Sequence, residues 1–521
     1  MSALLLIGAL LVGVVVLTPL SDRVNVPQPV LVTVFGLAVA LVPGVPELAL
    51  DPSLILPVLL PPLLFAATQR TTVGEFRDSA RPILVLAVGL TVATTAVVAV
   101  VAHGAGLAWP AAWVLGAVVS PPDPVAATAV ARRLRLPHRM VVVLEGEGMF
   151  NDATALVLYK VAVAAAVTGH LSPGVAALDL LLALLVGVGL GVAVGWLARG
   201  ALAVLHDPRA ETTVTVVLPF IAYLGAEHLR GSGVLAVLAL GLFLRSFGHP
   251  VITSGGWLLG RAVWDYVDFV LTSLTFALIG FELTTVLAHS STDTGTVALA
   301  VAVLATLVLF RAVWTFPAVG VMRAMQRRAN AETPYGWRET TVVAWAGMRG
   351  VVTVATALAL PTTLDSGEEF PHRAQLILVA LVCVLATLVG QGLTLSALVR
   401  FLRVGVEGDA GGALSNLRAR AATAALEDLR AQAGRPDVPE GVHRAAILQY
   451  ESYLSAQEAL MTVRTEDADV SAPEQLEALL QRASDVERDL VLRARRSGEV
   501  SSATADEALH GIEARSIRDY D

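Results

Sequence analysis

Between residues 2 and 402 the chain consists of thirteen mostly apolar stretches: 2–20, 28–43, 53–68, 82–103, 110–131, 140–168, 173–200, 211–228, 231–245, 256–285, 295–322, 339–360 and 372–402. A helix that crosses the hydrocarbon core of a bilayer needs roughly 20 such residues, and a helix satisfies its backbone polar groups internally. The third and ninth stretches are short for a span. Only 15% of the 521 residues are charged, 55% are apolar, and the mean hydropathy is +0.70; a water-soluble domain carries about 25% charged residues. The expected fold class is therefore an all-α polytopic membrane protein of about thirteen transmembrane helices. The first stretch has no positive leading region and no small-residue cleavage site before Ser21, so it reads as an anchor rather than a signal peptide.

The charge is unevenly divided. Residues 1–403 hold 22 acidic and 23 basic side chains, whereas residues 404–521 hold 22 and 13, a net of −9. This predicts a membrane domain over 1–403 and an acidic tail over 404–521, joined near Gly408, Gly411 and Gly412. The runs AALEDLRAQA and EQLEALLQRASDVERDLVLRARR have the apolar spacing of amphipathic helices, so the tail is expected to be a soluble helical module, self-associating or regulatory, with its partner unidentified. Neither part has the basic surface that nucleic-acid binding requires. The single cysteine, Cys383, excludes a disulfide scaffold and cysteine-based metal sites.

Loop arginines set the expected orientation. With the amino terminus outside, cytoplasmic loops collect Arg23, Arg70, Arg77, Arg81, Arg132, Arg133, Arg135, Arg139, Arg199, Arg209, Arg245, Arg323, Arg327, Arg328 and Arg338, and outer loops collect Arg230 and Arg373. Fifteen against two follows the positive-inside rule and puts the tail in the cytoplasm. Thirteen spans also divide as six, one and six, which permits an inverted repeat. Each half carries a helix interrupter, SPPDPVA at 120–126 and GMRG at 347–350. A break near Gly390, Gln391 and Gly392 is an alternative partner for the first.

Ionisable groups at membrane depth are costly and mark function by default. The sixth stretch contains EGEGMFND, with Glu145, Glu147, Asn151 and Asp152 in one helix and Asp152 near its middle. At about 100° per residue, Glu145 and Asp152 share a face with Gly148, while Glu147 and Asn151 share another. Arg349 is read as the one other central, positive group, and a Glu147–Arg349 pair would cancel two costly charges. Asp152 would then lack a fixed counter-ion, and a buried carboxylate of that kind is neutralised by a proton or by a metal cation. Pro121, Pro122 and Pro124 deprive the fifth helix of amide donors and free carbonyls beside Asp123. Carbonyls plus carboxylates form a site for a hard cation, with Asp152 and Asp123 as its charged ligands.

The runs SPPDPVAATAV, EGEGMFNDATALVLY, TFALIGFEL and AWAGMRGVVTVATALALP, in this order, resemble bacterial members of the monovalent cation:proton antiporter family 1, the sodium/proton exchangers, over about residues 1–403. The resemblance implies an inverted-repeat fold with interrupted helices, a homodimer with a moving core domain, and elevator-type exchange. It implies that Asp152 carries cation and proton, that Asn151 is its helix neighbour, that Asp123 is a second, water-mediated or structural carboxylate, and that Glu147 with Arg349 is a stabilising pair. No cofactor is implied beyond the transported cation and proton, and no enzyme activity. Three positions depart from the family pattern and each loses a side-chain oxygen: Ala66, Gly148 and Pro122. The expected function is electroneutral exchange of Na+ for H+, with K+/H+ exchange, a channel, or a cation sensor with the tail as output as the alternatives.

Other polar residues have structural readings. Asp123 could cap the second half of its own broken helix. Lys160, the chain's single lysine, is expected to snorkel toward the outer surface rather than to serve Asp152. Asp179 and Glu227 fall near helix ends, Asp265, Asp268 and Glu282 have no settled role, and His103, His170 and His289 lie near the outer surface, where imidazoles could sense pH.

Overall fold

The computed structural model describes residues 3–24, 26–42, 45, 52–69, 84–123, 127–128, 131, 136, 138–168, 173–289, 293–328, 336–404, 410–432, 438–466, 472–497, 504, 508–509 and 511–512. The expectations for Arg70, Arg77, Arg81, Pro124, Arg132, Arg133, Arg135 and His170 lie outside these residues, as do the side chains of Arg139, Asp179, Glu282, His289, Arg327 and Arg328. The chain divides into two compact units, Met1–Val406 and Glu407–Asp521.

The first unit is helical: α1 Ala3–Val24, α2 Gln28–Ala40, α3 Pro52–Thr68, α4 Leu90–Gly104 after a π-helical turn Leu84–Gly89, and α5 Trp109–Val119. It continues with α6 His138–Thr168, α7 Pro173–Leu202, α8 Pro208–His228, α9 Gly233–Phe247, α10 Ser254–His289 and α11 Thr294–Arg328. The last three are α12 Trp337–Trp345, α13 Val351–Leu358 and α14 Arg373–Leu402. Each of the thirteen apolar stretches overlaps a helix; 339–360 holds two, α12 and α13, and 110–131 holds α5 followed by the non-helical Ser120–Asp123. Among the described residues six helices are long and apolar enough to cross a membrane, α7 and α11 among them, and Gly8–Ser21 of α1 is a shorter apolar segment. Outer faces explain the composition: Val12, Val15 and Val16 on α1, Leu185, Trp196 and Leu197 on α7, and Val301, Leu309 and Val313 on α11 are exposed. Apolar surface of that extent is matched by lipid, not water.

The two interruptions have different causes. After Val119 the chain runs non-helically through Ser120–Asp123, because Pro121 and Pro122 have no amide hydrogen and crowd the preceding turn. After Trp345 it is non-helical through Ala346–Gly350, where small residues let another chain segment come close. A Cβ at Gly350 would overlap the Asp123 carboxylate, and one at Gly347 would overlap the Arg311 side chain. The two unwound stretches cross, and Asp123 N donates to Met348 O at 2.6 Å. The alternative break is not present: α14 is continuous through Gly390, Gln391 and Gly392. Nothing in that segment removes donors, so the helix tolerates its two glycines.

Two apolar cores fill this unit. One joins α1, α2, α4, α5, α6 and α10–α14; the other joins α3, the ends of α7, α8, α9 and Trp264, and reaches Ala153 and Leu156 of α6. The second unit has α15 Ala410–Ala431, α16 Glu440–Glu466 and α17 Ala472–Ser497. Its Arg430–Glu451 ion pair, at 2.6 Å, ties α15 to α16, and Ala422 and Leu426 are buried.

Candidate functional site: a cavity at crossed helix breaks

Every half-helix end at the crossing leaves unpaired backbone groups and a partial charge. Asp123 Oδ2 accepts from Val351 N at 3.3 Å, so its carboxylate sits at the positive start of α13. The sequence offered Asp123 as a cap for the second half of its own broken helix, whose first residues lie outside those described; the backbone crossing brings its carboxylate to the start of a helix from the other half of the chain. Arg349 does the converse. Its Nε donates to Val119 O, the last carbonyl of α5, at 2.8 Å, another nitrogen reaches Gly347 O, and its amide donates to Thr387 Oγ1 at 3.0 Å. A carboxylate thus faces a helix start and a guanidinium faces a helix end, which lets both ends lie inside the protein.

Other freed carbonyls are also used. Ser120 Oγ donates to Ala117 O at 3.2 Å, and Asn151 Nδ2 donates to Pro122 O at 3.0 Å. Asn151 and Pro122, both expected in the ion site, therefore brace α6 against the first break. Asn151 is fully buried, and its Oδ1 has no hydrogen-bond partner among the described residues.

The expected Glu147–Arg349 pair is corrected by the structure. Glu147 is bound in fork geometry by Arg311 of α11, Nη1 to Oε1 at 2.5 Å and Nη2 to Oε2 at 3.0 Å. Arg311 also donates to Val343 O from Nε and Nη2 at 3.3 and 3.1 Å, and both side chains are buried. Arg349 is drawn to the end of α5, while Arg311 projects from the middle of a long apolar helix onto the Glu147 face of α6. Its position in VLFRAVW, eleven or more residues from either end of the 295–322 stretch, was the sequence signal for a second buried cation.

Asp152, partly exposed, lines a cavity of about 80 Å³ together with Asp123, Glu145, Gly148, Asp268 and Thr353. Among the described residues no Lys, Arg or His lines it. The helical-wheel expectation that Glu145, Gly148 and Asp152 share a face is met here. A larger cavity of about 400 Å³ adjoins the ends of α3 and α9 and the starts of α8 and α10, where Ala66, Gln69, Glu211, Arg245 and Asp265 line it; Asp268 lines both. Glu211 is buried and accepts from Thr253 N at 3.2 Å and Thr253 Oγ1 at 2.9 Å, holding the start of α10. Asp265 is exposed beside Arg261 at 3.8 Å.

Lys160 is ion-paired with Glu227 of α8, which also accepts from Gly233 N at 2.9 Å. The lysine neither snorkels freely nor serves Asp152, and Glu227, expected to be solvated, ties α6 to the start of α9. His103 closes the end of α4, with Nδ1 2.8 Å from Leu107 O and its ring stacked on Trp109 at 4.1 Å between centroids. Among the described residues no group of three or more His, Cys, Asp or Glu is arranged to hold a resident metal ion.

A helical membrane unit with crossed broken helices and a carboxylate-lined cavity at their junction defines an ion-translocating class. Residues 7–401 match the family described as "Sodium/hydrogen exchanger, transmembrane", and the chain belongs to this family of multi-pass monovalent cation/proton antiporters. It is 35% identical over 433 residues, 82% of this chain and 79% of the relative, to an uncharacterized Na(+)/H(+) exchanger of Mycobacterium tuberculosis. It is 31% identical over 401 residues, 73% of this chain and 60% of the relative, to the sodium, potassium, lithium and rubidium/H(+) antiporter of Bacillus subtilis. In fold it is similar to the sodium proton antiporter MjNhaP1 of Methanocaldococcus jannaschii, with a TM-score of 0.61 at 17% identity, covering 77% of this chain and 98% of that one. The relatives are transporters, not enzymes.

Proposed function

We propose that this chain exchanges one monovalent cation, Na+ in the first instance, for one proton, with Asp152 carrying each in turn. The observation behind this reading is a charge balance. Of the buried charged groups around the helix crossing, Asp123 and Glu147 are matched by Arg311 and Arg349, two charges against two, each held by the contacts described above. Asp152 stands outside that balance, on a cavity with no basic side chain among its described lining residues. A carboxylate there is neutralised by a proton or by a cation, and the two compete. If the four matched groups stay ionised, each exchange moves no net charge.

The cavity lies on the seam between the two apolar cores, with Leu60 and Leu64 on one side and Val351 on the other. That placement suits alternating access by an elevator motion, one packed body sliding on the other, in a homodimer. The arginine distribution puts the amino terminus outside and the tail in the cytoplasm of the inner membrane. On that orientation the larger cavity opens to the cytoplasm and the structure is inward-facing. K+ is the second candidate cation. Ala66 and Gly148 line the two cavities without side-chain oxygens, which loosens the site, and the Bacillus subtilis relative is named for four alkali cations.

The test is proton movement in proteoliposomes on addition of Na+ and then K+, comparing wild type with Asp152→Asn. Cation-driven proton flux that vanishes in the variant, with no dependence on membrane voltage, is the expected result. Cation flux without proton counterflow, or full activity in Asp152→Asn, would refute the exchange at Asp152.

A further inference from the structure

Threonine hydroxyls inside helices normally donate to the carbonyl four residues back. This chain follows the habit at Thr33, Thr95, Thr154, Thr306, Thr315 and Thr387, and at Thr356 of α13 itself, whose Oγ1 donates to Val352 O at 2.8 Å. Thr353 breaks it. Its residue four back is Arg349, which lies in the unwound stretch before α13, so no helical carbonyl stands under the hydroxyl. Thr353 is 1% exposed, and its Oγ1 makes no hydrogen bond among the described residues. A buried hydroxyl without a partner is costly and calls for an explanation. Thr353 lines the small cavity with Asp152.

We propose that Thr353 is a direct ligand of the transported cation, its hydroxyl oxygen completing with Asp152 the side-chain donor set of the cavity between α6 and α13. This rests on the exchange reading above and names a residue that sets cation affinity and selectivity within it. The chemistry fits a small alkali cation, a hard ion that takes neutral hydroxyl and carbonyl oxygens readily. The donor adds to a poor set: Gly148, on the cavity wall, offers no side-chain oxygen, and Val119 O and Pro122 O have each given one lone pair to Arg349 and Asn151. The helix break supplies it: by starting α13 at Val351, only two residues before Thr353, the fold leaves the hydroxyl unspent. A hydroxyl does not titrate in the working range, so its contribution is to cation binding and not to proton binding.

The experiment compares wild type, Thr353→Val and Thr353→Ser in proteoliposomes with Li+, Na+ and K+. Valine keeps the volume and removes the oxygen; serine keeps the oxygen. The expected result is an apparent KM for the preferred cation raised about tenfold in Thr353→Val, equivalent to about 1.4 kcal/mol. The maximal rate and the pH profile at saturating cation should be unchanged, and Thr353→Ser should restore the KM. A wild-type KM for all three cations in Thr353→Val, or a KM in Thr353→Ser as high as in Thr353→Val, would overturn the proposal while leaving exchange at Asp152 intact. Absence of cation-driven proton flux in wild type would instead overturn the exchange reading. A second readout needs no transport: Li+ or Na+, against choline at equal ionic strength, should raise the melting temperature of detergent-solubilised wild type and Thr353→Ser but not of Thr353→Val. Equal stabilisation of all three would also overturn it. If Thr353→Val does not insert, Thr353→Ala against Thr353→Ser gives the same contrast.

Discussion

Glu147 and Asp152 are five residues apart on one helix, and the protein treats them in opposite ways. Glu147 faces α11 and is clamped by both terminal nitrogens of Arg311. Asp152, on another face of the same helix, meets a cavity with no basic lining among the described residues. A carboxylate whose lone pairs are filled by fixed donors cannot release and rebind a partner without breaking the fold. One that faces a cavity can. The difference lies in what the neighbouring helices present, not in the residue type, and it separates a clamped acid from one left to a cavity.

The comparison breaks first at its functional end. Asp152→Asn should lower exchange at least about 100-fold, with normal membrane insertion, when proton flux is followed in vesicles; a variant with near-wild-type flux would show that the cavity-facing acid is not the carrier. On the proposal that proton and cation compete for one carboxylate, lowering the pH should raise the apparent cation KM of the wild type, and a pH-independent KM would place the two on separate groups.

The structural end gives the next largest effect. Removing one partner of a buried ion pair costs about 3–5 kcal/mol, so Arg311→Met should sharply lower the melting temperature and the yield of folded protein. The double variant Arg311→Met with Glu147→Gln should recover part of that loss. If Arg311→Met were as stable as wild type, Glu147 would not need its partner and the contrast with Asp152 would fall. Asp268→Asn tests whether the residue that lines both cavities lies on the cation's route: a cation KM raised a few-fold with the maximal rate kept is expected if it does, and an unchanged KM would remove Asp268 from that route.

The smallest effect is expected outside the span. Asp293 precedes α11, and its carboxyl, held below the usual range by side-chain and backbone hydrogen bonds to Thr296, accepts from Thr296 N at 2.9 Å. A carboxyl depressed on folding contributes stability above its ordinary pKa and loses it as pH falls through the folded value. Asp293→Ala should therefore lower the melting temperature slightly at neutral pH and not in strong acid, with exchange unaffected; a large change in exchange would mean that charges at helix ends reach the site.

Much of this was legible in the chain. The apolar stretches mark where the described helices lie because helix formation in an apolar solvent depends on local length and hydropathy. Pro121, Pro122 and the glycines of GMRG mark the breaks because donor loss and side-chain loss are local properties. The wheel puts Glu145, Gly148 and Asp152 together because a helix has a fixed period. Partner choice was not legible. Arg349 looked like the counter-ion of Glu147 until α11 brought Arg311 onto that face, and Lys160 looked solvated until α8 brought Glu227. The free hydroxyl of Thr353 depends on where α13 begins, and the role of Asp123 at the start of α13 depends on the crossing of segments more than 200 residues apart. Sequence periodicity determined which faces are polar and where helices break; the rotation and crossing of helices, properties of the packed whole, decided which charges cancel and which carboxylate is left to the cavity.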